Sequence, residues 1–182
     1  MSKLEPIRAL IIDMDGVLYL GDTPLPGLDV FFSFLRERNI SFQLVTNNST
    51  LTPIMYVEKM ARMGVVVETE EVLTSSLATG AYLADRFPRG SQVFAIGEEG
   101  LMDALQAAGF VLGRRHPVAV VVGFDRDLTY AKLREATLLI RADVPFIATN
   151  PDRTLPVPEG QVPGTGAILA SLTASSDRSP IM

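Results

Sequence analysis

The sequence predicts an α/β protein built on parallel sheets, and three observations support this fold class. Short apolar runs alternate with stretches of helical length and periodicity. Two of the apolar runs are followed at once by polar residues of types that can bind ligands. The alternation of strands and helices then starts again after Pro88-Arg89-Gly90, which breaks the chain and marks a candidate domain boundary.

The first predicted strand runs through the apolar residues 7–12 and is followed by Asp13, Asp15 and Gly16. Side chains at positions i and i+2 of a strand project to the same side, so we expect both carboxylates to leave the carboxyl end of the strand together. Ligands bind at that end of open α/β sheets, and a cation such as Mg²⁺ prefers oxygen ligands. One carboxylate can attack while the other moves a proton. A plain Asp-Gly turn between two extended segments is the alternative.

The next predicted helix, 28–38, and strand, 40–45, lead to a second polar group, Thr46-Asn47-Asn48-Ser49. Its hydroxyl and amide groups, with nearby backbone N–H groups, can bind phosphate oxygens. The alternative is a polar turn and a helix cap, and Thr52-Pro53 predicts the start of a helix there. A right-handed crossover sets consecutive strands of a βαβ unit side by side, so the two polar groups together predict a phosphoryl-transfer site.

The remaining elements complete the first series and form the second. A strand at 72–74 and a helix at 77–87 precede the break. After it, the sequence predicts strands at 92–96, 118–122 and 145–148, helices at 99–108, 129–141 and 166–173, and a Pro/Gly-rich loop without secondary structure at 150–164. Long loops of this kind are often functional.

Composition excludes several classes of function. The net charge is −5 without a Lys/Arg cluster, which opposes nucleic-acid and membrane-surface binding. Cysteine is absent, so thiol catalysis, disulfides and cysteine-ligated zinc are excluded. His116 is the only histidine and is expected in an exposed loop. With no apolar run of membrane-spanning length and no signal-peptide pattern, we expect a soluble, cytoplasmic protein.

The motifs and their order resemble the haloacid dehalogenase superfamily, specifically its class IIA, the p-nitrophenyl-phosphatase-like and nucleotide-phosphatase-like enzymes. The matching residues are Asp13-Met14-Asp15-Gly16-Val17-Leu18, Thr46-Asn47-Asn48-Ser49, Val120–Tyr130 and Ala148–Pro156. The resemblance covers essentially the whole chain. It implies a Rossmann-like core at 1–78, an inserted α/β cap of the C2 type at 79–178, and the start of a return to the core at 179–182.

The resemblance also implies a role for each site residue. Asp13 would be the nucleophile that forms an aspartyl-phosphate, and Asp15 would protonate the leaving oxygen and later activate water. The Asp13 carboxylate and the Asp15 backbone carbonyl would bind Mg²⁺. Thr46 would hold the phosphoryl group, with Asn47, Gly16 and backbone amides nearby.

The implied function is Mg²⁺-dependent hydrolysis of a small phosphorylated metabolite. The cap would close over the site and select the substrate, through the 150–164 loop and the segments around Asp125 and Tyr130. A phosphotransferase or mutase on the same scaffold and a non-catalytic phosphate-ligand-binding protein are the alternatives. Association of the protein into a homo-oligomer through the cap is a further possibility that the resemblance leaves open.

The sequence departs from the family pattern at its end. Family members continue with a lysine that steadies the phosphate and a Gly-Asp motif that completes the metal site. Here Met182 is the last residue, and none of Lys3, Lys59 and Lys132 lies in a comparable place. We therefore expect a truncated chain that exposes apolar surface of its core and is weakly active or inactive.

Overall fold

The computed structural model describes residues 7–157 and 159–182. Residues 1–6, which open the predicted core and include Lys3, lie outside the described residues, as does Pro158 in the predicted 150–164 loop. The chain divides into two compact units. Unit 1 comprises Met1–Thr46 and Pro53–Leu73, and unit 2 comprises Asn47–Thr52 and Thr74–Met182.

The elements of unit 1 are those of a βαβ arrangement with a small hairpin inserted after the first strand. In chain order they are β1 (Ala9–Asp13), β2 (Tyr19–Leu20), β3 (Thr23–Pro24), α1 (Leu28–Glu37), β4 (Ser41–Thr46), α2 (Pro53–Arg62), a 3-10 helix (Thr69–Glu71) and β5 (Val72–Thr74), which ends at the unit boundary.

The described residues of unit 2 form four helices and six strands. They are α3 (Ser75–Ala84), β6 (Gln92–Ile96), α4 (Glu99–Ala107), β7 (Val111–Leu112), β8 (Ala119–Val122), α5 (Tyr130–Arg141), β9 (Phe146–Ala148), β10 (Thr154–Val157), β11 (Gly160–Pro163) and α6 (Thr165–Ser176).

The sheet of unit 1 has the order β1-β4-β5, and β1 and β4 are parallel neighbours with Asp13 opposite Val45. One face is buried at Ile12 and Leu44, which pair in the same register and therefore point to the same side. The other side is open, since Ile11 is 79% exposed. The described part of unit 1 therefore exposes apolar surface at Ile11.

The main sheet of unit 2 is parallel, in the order β7-β6-β8-β9, and is buried on both faces. Val120 and Val122 pack with residues of α5 and α6, whereas Ala119 and Val121 pack with residues of α3 and α4. A strand buried on both faces reads as a continuous apolar run, as β8 does. At the end of the chain, Ile181 pairs with β9: its N–H donates to the Phe146 carbonyl at 2.8 Å.

The α/β class with parallel sheets is confirmed, but the prediction of a loop without secondary structure at 150–164 was wrong. Residues of this segment form the antiparallel hairpin β10–β11, in which Leu155 is opposite Val162. Pro156 and Pro163 argued against strands there. In a two-stranded ribbon, a residue whose N–H would point outward loses no ladder bond, so proline is tolerated.

Smaller differences concern element ends and very short strands. The third helix begins at Ser75 rather than Leu77, because the Thr74 hydroxyl accepts from the Leu77 N–H at 3.2 Å and caps it. The short extended segment expected at 17–20 is present as β2, whereas the two-residue strands β3 and β7 carry too few residues for a periodic pattern and were not predicted. Among the described residues, no helix is both long and apolar enough to cross a membrane.

Candidate active site

Asp13 and Asp15 lie at the carboxyl end of β1, on either side of a buried residue. Met14 is fully buried, whereas both aspartates are exposed, so the two carboxylates flank a side chain that anchors the strand end in the core. The Met14 N–H donates to Asp13 Oδ1 at 2.9 Å. This arrangement agrees with the expected projection of the two acidic side chains from one strand end.

A tight turn follows Asp15 and closes on Tyr19. The Gly16 N–H donates to the Tyr19 carbonyl at 2.9 Å, and Asp15 and Tyr19 form an isolated β-bridge. Gly16 has φ 82°, a left-handed conformation that glycine adopts without strain. The turn interpretation of Asp-Gly is therefore correct for the backbone, and it is compatible with a chemical role for the carboxylates. Phosphate binding by Gly16 stays a prediction.

Thr46 lies at the end of β4 and meets the Asp15 side chain. Its side chain is buried, and its hydroxyl donates to Asp15 Oδ2 at 3.3 Å. Thr46 and Asp15 therefore show that the carboxyl ends of β1 and β4 lie together, as expected. The contact follows from the parallel pairing of β1 with β4.

The pKa of the Asp15 carboxyl is raised. Partial burial of the carboxyl group is the largest cause; the charge of Lys59 and the hydrogen bond from Thr46 act in the opposite direction, and the charge of Asp13 adds to the rise. A raised pKa is what an acid that donates a proton near neutral pH requires. Burial also raises the pKa of the Tyr19 and Tyr56 phenols, which therefore stay protonated.

Lys59 was not singled out from the sequence. It lies on α2 with its Nζ 3.9 Å from the centroid of the Tyr19 ring. Tyr56, Lys59 and Met60 share one side of the helix through their i, i+3, i+4 spacing, and the other two are buried. That spacing was the signal in the sequence for a partly buried Lys59, and it does not identify the aromatic ring that the lysine contacts.

Asn47, the next residue in the chain after Thr46, makes its contacts within unit 2. Its carbonyl accepts from the Ser75 hydroxyl at 2.8 Å and from the Asn150 side-chain amide at 2.9 Å. Its own side-chain amide donates to the Asp152 carboxylate. Phosphate binding by Asn47 stays a prediction, and the contacts with the predicted 150–164 segment were not foreseen.

Asn48 and Ser49, the last two residues of the second motif, make different kinds of contact. The Asn48 side chain accepts from the Thr50 N–H at 3.0 Å and from the Thr50 hydroxyl at 2.8 Å, as in a capping turn. Ser49 is fully buried, and its hydroxyl accepts from the Phe124 N–H at 3.2 Å. The polar-turn interpretation fits the contacts of Asn48, whereas Ser49 contacts a residue distant in the sequence.

The other segments suggested for substrate contact differ in their surroundings. The Asp125 carboxylate is buried and paired with Lys132 Nζ at 2.7 Å, and it accepts from the Asp127 N–H at 2.9 Å. Tyr130 is 81% exposed at the start of α5. His116 is exposed in a loop, as expected.

The donor set at the end of β1 fits a magnesium ion. Among the described residues, no group of three histidine, aspartate, glutamate or cysteine side chains forms a ready metal site. Mg²⁺ commonly binds through one or two carboxylates together with substrate phosphate and keeps several waters. The Asp13 carboxylate, one oxygen of which accepts from the Met14 N–H, and the Asp15 backbone carbonyl supply oxygen ligands of that kind.

Comparison with known proteins gives one consistent family. Residues 10–111 match the family model of haloacid dehalogenase-like hydrolases. An acid sugar phosphatase of Staphylococcus aureus is 40% identical over 178 residues, which is 97% of this chain and 68% of that protein.

Solved structures of phosphatases resemble this chain over most of its length. A 4-nitrophenylphosphatase from Thermotoga maritima has TM-score 0.90 and 41% identity over 96% of this chain and 66% of its own. A glycerol phosphate phosphatase from Mycobacterium tuberculosis, solved in complex with magnesium, has TM-score 0.88 and 32% identity over 95% of this chain and 53% of its own. The matched residues include both motifs at the strand ends, so the chain belongs to the haloacid dehalogenase-like hydrolase family, among its class IIA phosphatases.

Proposed function

We propose that the protein hydrolyses small phosphomonoesters with Mg²⁺ through a phosphorylated Asp13. The observation that carries the proposal is the pairing of two unlike carboxyl groups at one strand end. Asp13 is exposed at the end of β1, and Asp15 has a raised pKa and a hydrogen bond from Thr46. A carboxyl group with a raised pKa can serve as the acid while a neighbouring carboxylate attacks as the nucleophile.

In the first step, a carboxylate oxygen of Asp13 forms a bond to phosphorus while the bond to the leaving oxygen breaks. Asp15 in its acid form gives its proton to that oxygen. In the second step, water attacks the phosphorus of the acyl phosphate and Asp15 takes the proton, which frees phosphate and restores Asp13. Mg²⁺, when bound, would offset the negative charge of the phosphoryl group. Thr46, Asn47, Gly16 and nearby backbone N–H groups are proposed to hold the phosphoryl oxygens.

The relatives support the class of substrate. One is named an acid sugar phosphatase and another a glycerol phosphate phosphatase, and both names point to small phosphorylated substrates. We propose that residues 79–178 act as the cap and that the 150–164 segment, which contains the β10–β11 hairpin, helps to select the substrate. Slow turnover is expected, because the described residues bring no third acidic side chain to the metal site.

The test is phosphate release from p-nitrophenyl phosphate with Mg²⁺ and with a chelator, for the parent chain, Asp13→Asn and Asp29→Asn. Asp29 is an exposed aspartate in the first turn of α1 and serves as the matched control. Mg²⁺-dependent release that falls to the buffer rate in Asp13→Asn alone is the expected result. Release that is equal in the parent chain and in Asp13→Asn would contradict the proposal.

A second measurement detects the acyl-phosphate site even when turnover is slow. Beryllofluoride mimics a phosphoryl group on a carboxylate, so ¹⁹F NMR should show bound fluoride in the parent chain and in Asp29→Asn. The bound signal should require Mg²⁺ and be absent from Asp13→Asn. A bound signal that persists in Asp13→Asn would place the phosphoryl acceptor elsewhere.

A further inference from the structure

Lys59 is a largely buried lysine that contacts Tyr19 and Asp22 in unit 1. Its side chain is only 13% exposed. The Nζ lies 3.9 Å from the centroid of the Tyr19 ring and 3.8 Å from Asp22 Oδ1. A buried ammonium group is costly without a partner, and the face of an aromatic ring attracts a cation. The ring of Tyr19 is the better shielded partner, since the Asp22 side chain is 97% exposed and such ion pairs contribute little.

Tyr19 is also the residue on which the Asp15 turn closes. The Gly16 N–H donates to its carbonyl, and Asp15 forms a β-bridge with it. The Tyr19 side chain is fully buried, and within the described part of the chain its hydroxyl has no hydrogen-bond partner. The position of the ring is therefore set by packing and by the Lys59 ammonium group rather than by a hydrogen bond.

The two contacts of Lys59 lie on the same small hairpin. Tyr19 belongs to β2, and Asp22 lies in the turn between β2 and β3. The β2–β3 pair has only two residues a strand, too few to be stable alone. A cation that contacts both the strand and its turn from α2 fixes this hairpin, and with it the turn that carries Asp15.

We infer that Lys59 is a positioning residue that holds the Asp15 side chain in place through the Tyr19 ring. The inference rests on the proposed function, in which Asp15 protonates the leaving oxygen. Without the ammonium group, the turn samples more conformations and the Asp15 carboxyl is less often within reach of that oxygen.

The consequence depends on the substrate. A nitrophenolate leaves readily without a proton, whereas an alkoxide requires one. Loss of Asp15 positioning should therefore slow the hydrolysis of alkyl phosphates more than that of p-nitrophenyl phosphate. A lysine that only stabilised the fold would change both rates by the same factor.

The experiment compares Lys59→Met, Lys59→Arg and Arg62→Met with the parent chain, on glycerol phosphate and on p-nitrophenyl phosphate. Lys59→Met removes the charge and keeps most of the apolar stem, while arginine keeps a cation that can lie over the ring. Arg62 is exposed in the last turn of the same helix and is the matched control.

For Lys59→Met we expect kcat on glycerol phosphate to fall about tenfold, because an acid catalyst usually contributes more than this and only part of its contribution is lost. We expect kcat on p-nitrophenyl phosphate to change less than about twofold. Lys59→Arg should recover most of the loss, and Arg62→Met should match the parent chain. Equal losses on both substrates, or no loss, would overturn the inference while leaving the Asp13→Asn result intact. Failure of the proposed function would instead show as phosphate release that Asp13→Asn does not change.

Hydrogen exchange of the Gly16 amide tests the same inference without turnover. This N–H is bonded to the Tyr19 carbonyl and reports directly on the turn. We expect its exchange in Lys59→Met to become about tenfold faster, which corresponds to about 1.4 kcal/mol of local opening free energy. Exchange in Arg62→Met and Lys59→Arg should stay near the parent rate. An unchanged Gly16 rate in Lys59→Met would overturn the inference.

Discussion

At the scale of the residue, the clearest anomaly is the buried hydroxyl of Tyr19. A buried polar group without a partner lowers stability, and the Tyr19 hydroxyl has none within residues 7–157 and 159–182. Tyr19→Phe keeps the ring under Lys59 and removes only the hydroxyl. We expect the free energy of unfolding to be unchanged or higher by up to about 1 kcal/mol, measured by urea unfolding.

The control for this substitution is Tyr130→Phe. Tyr130 is 81% exposed, so its hydroxyl is hydrated in the folded chain and its loss should leave stability within about 0.5 kcal/mol. A loss of more than about 1 kcal/mol in Tyr19→Phe would show that the hydroxyl is bonded in solution and would contradict the prediction.

The site residues differ in how far sequence alone could place them. Asp13, Asp15 and Thr46 followed from local rules, because strand alternation and the right-handed crossover bring the ends of consecutive strands together. Lys59 could not be found that way. Its partner, Tyr19, is 40 positions earlier in the numbering, and no periodicity connects a helix face with a turn on another element.

At the scale of the element, an ion pair connects α1 with the 3-10 helix. Arg36 donates to both carboxylate oxygens of Glu71, at 2.6 Å each. Burial, the largest single effect, raises the pKa of Glu71. The hydrogen bonds from Arg36 and from the Glu68 N–H, with the Arg36 charge, outweigh it, so the net pKa of Glu71 is lowered. The folded state therefore favours the ionised form.

The lowered pKa of Glu71 determines how the free energy of unfolding changes with pH. A lowered folded pKa contributes stability that is complete above the unfolded value, about 4.3, and is lost as the pH falls through the folded value. We expect Glu71→Gln to lower the free energy of unfolding by about 0.5–1 kcal/mol at pH 7, since Arg36 is half exposed. The difference from the parent chain should shrink as the pH is lowered below about 4.

Urea unfolding of both chains between pH 3 and pH 7 measures the effect. Glu70→Gln is the matched control, because Glu70 contacts the Thr69 hydroxyl rather than an arginine. A Glu71→Gln difference that stayed constant down to pH 3 would contradict the assignment to this carboxylate.

Gly100 on α4 leads to a second prediction at the scale of the element, in unit 2. The Gly100 N–H donates to the Thr50 carbonyl at 2.9 Å, and a methyl group at Gly100 would overlap the backbone of Leu51. Alanine is normally about 1 kcal/mol better than glycine inside a helix. Here we expect the opposite sign, a loss of about 2 kcal/mol, because overpacking forces the two backbones apart.

Thermal or urea unfolding of Gly100→Ala checks the sign. Gln106→Ala, an exposed substitution on the same helix, should change stability by less than about 0.5 kcal/mol. An increase in stability in Gly100→Ala would mean that the 47–52 segment does not pack on α4.

The elements themselves were mostly predictable, and the exceptions have physical causes. The positions of β6 and β5 matched because strong apolar runs end at clear breaks. The β10–β11 hairpin was missed because its prolines contradict strand propensity and because its strands pair with each other, which no local pattern reveals.

At the scale of the whole molecule, the second motif belongs partly to each compact unit. Thr46 belongs to unit 1 and Asn47–Thr52 to unit 2. The sequence places these residues in one continuous polar stretch and gives no sign of the division. It arises from long-range packing, namely the close approach of Ser49 to Gly123 and of Leu51 to Gly100. Short-range patterns carry no information about contacts of this separation.

The exposed side of unit 1 leads to a prediction about association. Among the described strands, β1 is at the edge of its sheet, and Ile11 at its centre is 79% exposed. An unpaired edge with an exposed apolar side chain is a template for contact with another chain. We expect the parent chain to self-associate as its concentration rises, and Ile11→Thr to reduce this, since threonine keeps strand propensity while removing apolar surface.

Sedimentation velocity over a range of protein concentrations measures the association. Val66→Thr is the matched control, because Val66 is 77% exposed but lies outside the strands of unit 1. If the β1 edge is the contact, Ile11→Thr should stay monomeric at concentrations where the parent chain and Val66→Thr sediment as larger species. Equal association of all three chains would move the contact away from β1, to another of the exposed apolar residues.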